Sequence, residues 1–282
     1  MDSNSMELDG IAIIGISGRF PGAKNVEQFW QNLMQGKDCI SRLQAEQLEF
    51  TVLGTQAGRT SRRTVAARGI LEDVEQFDAE FFGIYPKEAE IMDPQHRIFL
   101  ECAWESLEVA GYNPFEYSGM IGVFASSSLN TYLLHNPFSD GKFAGKLAGN
   151  YQVGEYQAML GNDKDFMPTR VSYKLNLKGP SMAIQTACSS SLVAISQACN
   201  SPLSYGCDSA LAGGVSITFF SAARLFLRRR GLSFVGWDMS NLMPQPTVRC
   251  LPRLRSAAAK ATLRCSCRWR YRSCRDWRNS YQ

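Results

Sequence analysis

Along the first 220 residues the apolar positions fall into short runs whose period switches between strand-like and helix-like. "IAIIG" (11–15) is a continuous apolar run closed by glycine, the pattern of a strand buried on both faces. "NVEQFWQNLMQG" follows, with Val26, Phe29, Trp30 and Leu33 at helical spacing and Gly36 placed to end the helix. Residues 41–70 are polar and basic with little period and read as a loop. The clearest helix lies within 89–114, with Pro94 near its first turn, Ile98, Cys102, Ala103 and Leu107 on one face, and Gly111 and Pro114 as stops. "MIGVFASSS" (120–128) predicts a second buried strand. Residues 129–168 carry no clear period, and "PTRVSYKLNLKG" (168–179) starts as a helical turn and ends as a loop. "PSMAIQTA" then predicts a strand, "SSSLVAISQACNSPLSYG" a helix, and "CDSALAGGVSITF" (207–219) a strand with a glycine pair. Alternating strands and helices, with strands apolar on both faces, predict an α/β protein whose parallel or mixed sheet is covered on both sides.

Composition keeps this picture for one part of the chain and breaks it for the other. Hydrophobic residues at 45% and charged residues at 20% of 282 fit a soluble globular protein. No apolar run reaches the roughly 18 residues of a membrane span, and "MDSNSMELDG" is too polar for a secretory leader, so the expected compartment is the cytoplasm. Nine cysteines are then read as thiols rather than as a disulfide framework. Residues 1–220 hold 16 Lys and Arg against 24 Asp and Glu, whereas 221–282 hold the other 14 basic residues with only Asp238 and Asp276. The chain therefore divides into an N-terminal extension (1–10), a globular unit (11–220) and a basic Arg/Cys/Trp-rich tail (221–282).

Two stretches invite a chemical reading. "GISGRFPGA" resembles a dinucleotide-binding turn, but Ser17 stands where that fingerprint requires glycine, so its glycines are read as structural. "AIQTACSSSLVAISQAC" (183–199) places Cys188 between a predicted strand and a predicted helix, among small residues. Small neighbours admit a substrate, and unpaired N–H groups of a helix N-terminus favour thiolate over thiol. The cysteine's own backbone N–H can also help to hold an oxyanion. Cys188 is thus the candidate nucleophile, against the alternative of a buried structural thiol. Cys39, Cys102, Cys199 and Cys207 lack this setting and are read as packing residues.

"GPSMAIQTACSSSLVAI" resembles the active-site segment of the β-ketoacyl synthases, in which the cysteine of T-A-C-S-S-S carries the acyl group. "IAIIGISGRFPGA", "FDAEFFGIYPKEAEIMDPQHR", "LECAWESLEVAGY" and "GVFASSS" agree in order and spacing, and together they are similar to the ketosynthase domain of a modular type I polyketide synthase. The resemblance spans about residues 10–218. It implies a thiolase-like layered fold of two similar α/β halves, each with a five-stranded sheet, of which this chain carries the N-terminal half. It also implies a homodimer, an acyl carrier protein as partner, and substrates carried on that protein's phosphopantetheine arm, with no other cofactor and no metal. Cys188 would accept the acyl chain as a thioester and then condense it decarboxylatively with a malonyl-type thioester.

The two histidines that assist this condensation in the family lie downstream of the cysteine, in the second half of the fold. This chain holds only His96, in "DPQHR", and His135, in "LLHNPF", and both precede Cys188. Neither matches a family catalytic position, so both are read as packed or solvated. The resemblance fails near Phe219, where the tail begins. Arg, Cys and Trp codons share a second-position G, so the tail reads as out-of-frame translation after a frameshift near residue 220, truncated and disordered. A zinc site at Cys250, Cys265, Cys267 and Cys274 lacks the usual C-x2-C pair. Nucleic-acid binding through "RWRYRSCRDWR" rests on composition alone, and neither it nor a membrane partner is expected. Without the downstream histidines the chain is expected to lack full condensing activity, and the alternatives to the enzyme reading are a scaffold that keeps the carrier surface without chemistry or nucleic-acid binding through the basic tail.

Overall fold

The computed structural model describes residues 10–42, 67–132, 156–217 and 247–252. In chain order the elements are β1 (Gly15–Gly18), α1 (Val26–Met34), β2 (Ser41–Arg42), β3 (Ala67–Arg68), α2 (Pro86–Ile91), α3 (Pro94–Ala110), β4 (Ile121–Ser127), α4 (Tyr156–Asn162), α5 (Phe166–Lys174), β5 (Ser181–Ala183), α6 (Ser190–Leu203), β6 (Ser209–Val215) and β7 (Thr247–Pro252). Five strands form one sheet in the order β1–β7–β6–β4–β5, and β2 and β3 pair separately. β4 runs parallel to both β5 and β6, whereas β7 is antiparallel to β6 and to β1.

The sheet's two faces are written into alternate residues of β4 and β6. Ile121, Val123 and Ala125, with Leu211 and Val215, join the larger core cluster beneath α3 and α5. Phe124, Ala210 and Ala212 point to the other face, where Ala194 and Ala198 bring α6 down onto the sheet. Small alanines on both sides of that contact let helix and strands approach closely. The result is a sheet covered on both faces, as the continuous apolar runs predict.

α3 is the main support of the first face. Asp93 caps it by accepting from the Gln95 N–H at 2.8 Å, Pro94 occupies its first turn, and Gly111 ends it. Phe99, Leu100, Cys102, Ala103 and Leu107 are fully buried along it. β1 lies so close to this helix that a Cβ on Gly15 would collide with the Ser106 carbonyl oxygen. Ser17, which breaks the dinucleotide fingerprint, donates to the Cys102 carbonyl at 2.5 Å and is a packing residue. Arg19 forms a two-point ion pair with Glu105 that ties the turn after β1 to α3.

Several expectations shift, the first being the loop read over 41–70, whose ends Ser41–Arg42 and Ala67–Arg68 pair as β2 and β3. The strand predicted at 11–15 is observed at 15–18, with Ile11 in a single β-bridge, because β7 supplies hydrogen-bond partners only from Gly15 onward while Ile11 and Ile14 pack against the two cores. The helical period over 89–114 is two helices, α2 and α3, separated where Met92 and Asp93 turn extended ahead of Pro94. Of the tail, read as disordered from its composition, only 247–252 lie among the described residues. They form β7, "TVRCLP", between β6 and β1. The remainder of that reading, and His135, lie outside the described residues.

β7 pairs with strands on both sides, so truncation after residue 246 should lower the thermal unfolding midpoint by several degrees in a calorimetric scan. An unchanged midpoint would show that the ladder adds no stability. Burial, opposed by hydrogen bonds from Gln95 and by Arg97, pushes the Asp93 carboxyl up to about 6. The folded chain thus holds this proton more tightly than the unfolded chain, and the associated stability is present at low pH and lost as pH rises through about 6. Asp93→Asn should flatten the slope of urea-unfolding free energy between about pH 4 and 6, and an unaltered slope contradicts this assignment.

Candidate active site

Cys188 occupies a 3-10 turn, Ala187–Ser189, that joins the end of β5 to α6. The preceding Ala187 has φ of 54°, a left-handed conformation that costs a non-glycine residue and has to be held by its surroundings. Ser190 does much of the holding. Its buried hydroxyl accepts from the Thr186 N–H at 2.8 Å and donates to the Ala187 carbonyl at 2.8 Å. Ser189 adds a hydroxyl bond to the Thr186 carbonyl at 2.8 Å. The serine run therefore stitches the turn, a role that spacing alone did not distinguish from simple smallness. Thr186, Ala187, Cys188 and Ser189 are exposed, as is Leu192 one helical turn on, at 69%.

The other described cysteines differ in their surroundings. Cys102 is fully buried on α3, and burial pushes its thiol up to about 12. Burial also raises Cys207 and Cys199. Cys39 is half-buried near Gly22. Of Cys39, Cys102, Cys188, Cys199 and Cys207, Cys188 alone is exposed.

His96 takes no part in this arrangement. It is buried in α3, on the sheet face opposite α6, and burial together with Arg170 lowers it to about 3, so it is neutral. Its Nδ1 finds no hydrogen-bond partner among the described residues. Among those residues no group of three or more His, Cys, Asp or Glu could hold a metal ion, and no helix is long and apolar enough to cross a membrane. A cleft of about 780 Å³ lies between Arg19, Lys24, the acidic 72–78 segment and Glu101, and Cys188 is not on its wall.

A residue that the sequence reading passed over bonds the exits of both β4 and β6. Gln95, 1% exposed, accepts from the Ser128 N–H at 3.1 Å, the Ser128 hydroxyl at 2.7 Å and the Ile217 N–H at 3.3 Å. Its own amide donates to Asp93 at 3.0 Å. The available signal was "DPQHR", a polar string inside an otherwise apolar helical face.

Comparison with known proteins bears on all of this. The family described as "Beta-ketoacyl synthase, N-terminal domain" matches residues 8–235. A phenolphthiocerol/phthiocerol polyketide synthase of Mycobacterium tuberculosis is 46% identical over 213 residues, covering 76% of this chain and 14% of its own length. Polyketide synthase PksL of Bacillus subtilis is 36% identical over 230 residues, 78% of this chain and 5% of its own. Among solved structures, ketosynthase twelve of the bacillaene polyketide synthase of Bacillus amyloliquefaciens superposes with a TM-score of 0.69 at 31% identity, over 89% of this chain and 42% of that one. The chain thus spans less than half of the ketosynthase structure and a small fraction of the synthases. Its fold is the thiolase-like fold of these ketosynthases, and the chain belongs to the β-ketoacyl synthases, as the N-terminal ketosynthase domain of a modular polyketide synthase.

Proposed function

We propose that this domain accepts an acyl chain on Cys188 from the phosphopantetheine thioester of an acyl carrier protein, as the first half-reaction of polyketide chain extension. The observation that carries this reading is the exposed thiol on a turn held in a left-handed conformation at the start of a helix. In the transfer, the Cys188 sulfur attacks the thioester carbonyl and a new S–C bond forms. The bond to the pantetheine sulfur breaks, and the proton lost from Cys188 ends on the leaving thiol. The first N–H groups of α6, which no side chain caps, would be available to the developing oxyanion.

The second half-reaction, decarboxylative condensation, draws on two histidines that the family resemblance places in the other half of the fold. Membership in the family also supports a dimer and docking of a carrier protein, and no bound cofactor is required by this chemistry.

Two experiments test the reading. The full chain, incubated with a butyryl-pantetheine thioester, should gain one butyryl group by intact mass, and Cys188→Ala should gain none. Equal acylation of that variant would overturn the assignment, and retained carrier binding without acylation in the native chain would favour a scaffold. The strained turn gives a second expectation. A β-branched side chain at φ of 54° costs on the order of 1–2 kcal/mol, so Ala187→Val should slow acylation while Ala187→Gly stays close to the native rate. Equal rates for both variants would show that the turn's conformation is not used.

A further inference from the structure

We propose that Gln95 is a positioning residue for thioester chemistry at Cys188, acting by fixing the carboxyl ends of the two strands on which the Cys188 helix rests; this builds on the acyl-transfer reading above. The ladder between β4 and β6 ends at the pair Ser127–Val215. Gln95 takes hold just beyond it, because its Oε1 accepts from the N–H and hydroxyl of Ser128 on one strand's exit and from the Ile217 N–H on the other's. The Ser128 N–H is shared with the Val215 carbonyl at 3.0 Å, so one buried oxygen reinforces the last backbone bond of the ladder and adds the Ser128 hydroxyl and the Ile217 N–H to it. The opposite end of the same carboxamide is fixed by Asp93, whose backbone N–H donates to the Gly161 carbonyl at 2.9 Å. Gln95 therefore links α3 to the exits of β4 and β6, with α4 attached through the Asp93 backbone.

The connection to Cys188 is short in structural terms. α6 rests on Phe124, Ala210 and Ala212 of β4 and β6, so the height of its N-terminus follows those strands. β5, which leads directly into the Cys188 turn, pairs only with β4 among the described residues, and the Ile184 N–H extends that attachment to the Ala125 carbonyl at 2.8 Å. Both supports of the turn thus depend on where β4 ends. Displacement of a nucleophile by an ångström or less lowers reaction rates far more than it lowers binding.

The test uses the full chain with butyryl-pantetheine thioester in single-turnover experiments at about pH 8, above the Asp93 range near 6, and below the unfolding midpoints of all proteins compared. Gln95→Met should reduce the maximal acylation rate on the order of 10- to 100-fold with little change in half-saturating thioester concentration. Alkylation of Cys188 by iodoacetamide, which needs no fixed carbonyl geometry, should stay near the native rate. A folded Gln95→Met protein that acylates at the native rate would overturn the proposal, since a purely structural residue would shift only the melting midpoint.

Should Gln95→Met not fold, a charge exchange decides. Gln95→Glu places two carboxylates face to face and should acylate slowly, whereas Asp93→Asn combined with Gln95→Glu returns one donor and one acceptor and should recover most of the rate. A native rate in the Glu variant, or no recovery in the double variant, overturns the proposal. If the folded native chain itself takes no acyl group, the Cys188 reading falls and the positioning role with it.

Discussion

The parallel alignment of β5, β4 and β6 is the constraint from which the rest of the site follows. Parallel strands end together on one edge, and the chain must cross back over the sheet between them, so their carboxyl ends collect the loops where ligands bind in open α/β sheets. β5 enters the turn that carries Cys188, and α6 returns from it over β4 and β6. The approach of β5 to β4 is itself tightly set. A Cβ on Gly179 would stand 2.5 Å from the Gly122 nitrogen, so only glycine admits the chain at that crossing. The exposed thiol is thus a consequence of sheet direction and close packing.

Burial separates Cys188 from its fellow thiols. Cys102 lies in the α3 core with its thiol pushed up to about 12, and burial also raises Cys207 and Cys199. These groups are kept protonated and behave as small apolar residues. His96 is kept neutral for the same reason, in the opposite direction. The domain therefore presents one exposed thiol while its buried titratable groups serve packing.

Much of this arrangement was legible in the sequence, and the parts that were not have physical causes. The period-3.6 pattern with Pro94 and Gly111 locates α3 closely, and "GVFASSS" locates β4, because α3 keeps one continuous buried face and β4 is buried along its whole length. The strand-to-helix setting of Cys188 was also legible from residue size and position. The offset of β1 was not, since pairing depends on β7, more than 200 residues away. Neither was the function of Ser190 or Gln95. A hydroxyl that bridges a turn and a carboxamide that joins two strand ends leave no periodic trace, and they become visible only when distant backbone groups meet.

The central claim is that a specific thiol among nine, set by the sheet and its turn, carries the acyl group. Peptide mapping by mass spectrometry of the chain after brief exposure to limiting acyl-pantetheine thioester tests it most directly. The account predicts that the acyl mass sits on the peptide containing Cys188, with the peptides of Cys39, Cys102, Cys199 and Cys207 unmodified. Acylation spread over several cysteines, or concentrated on another one, would contradict it.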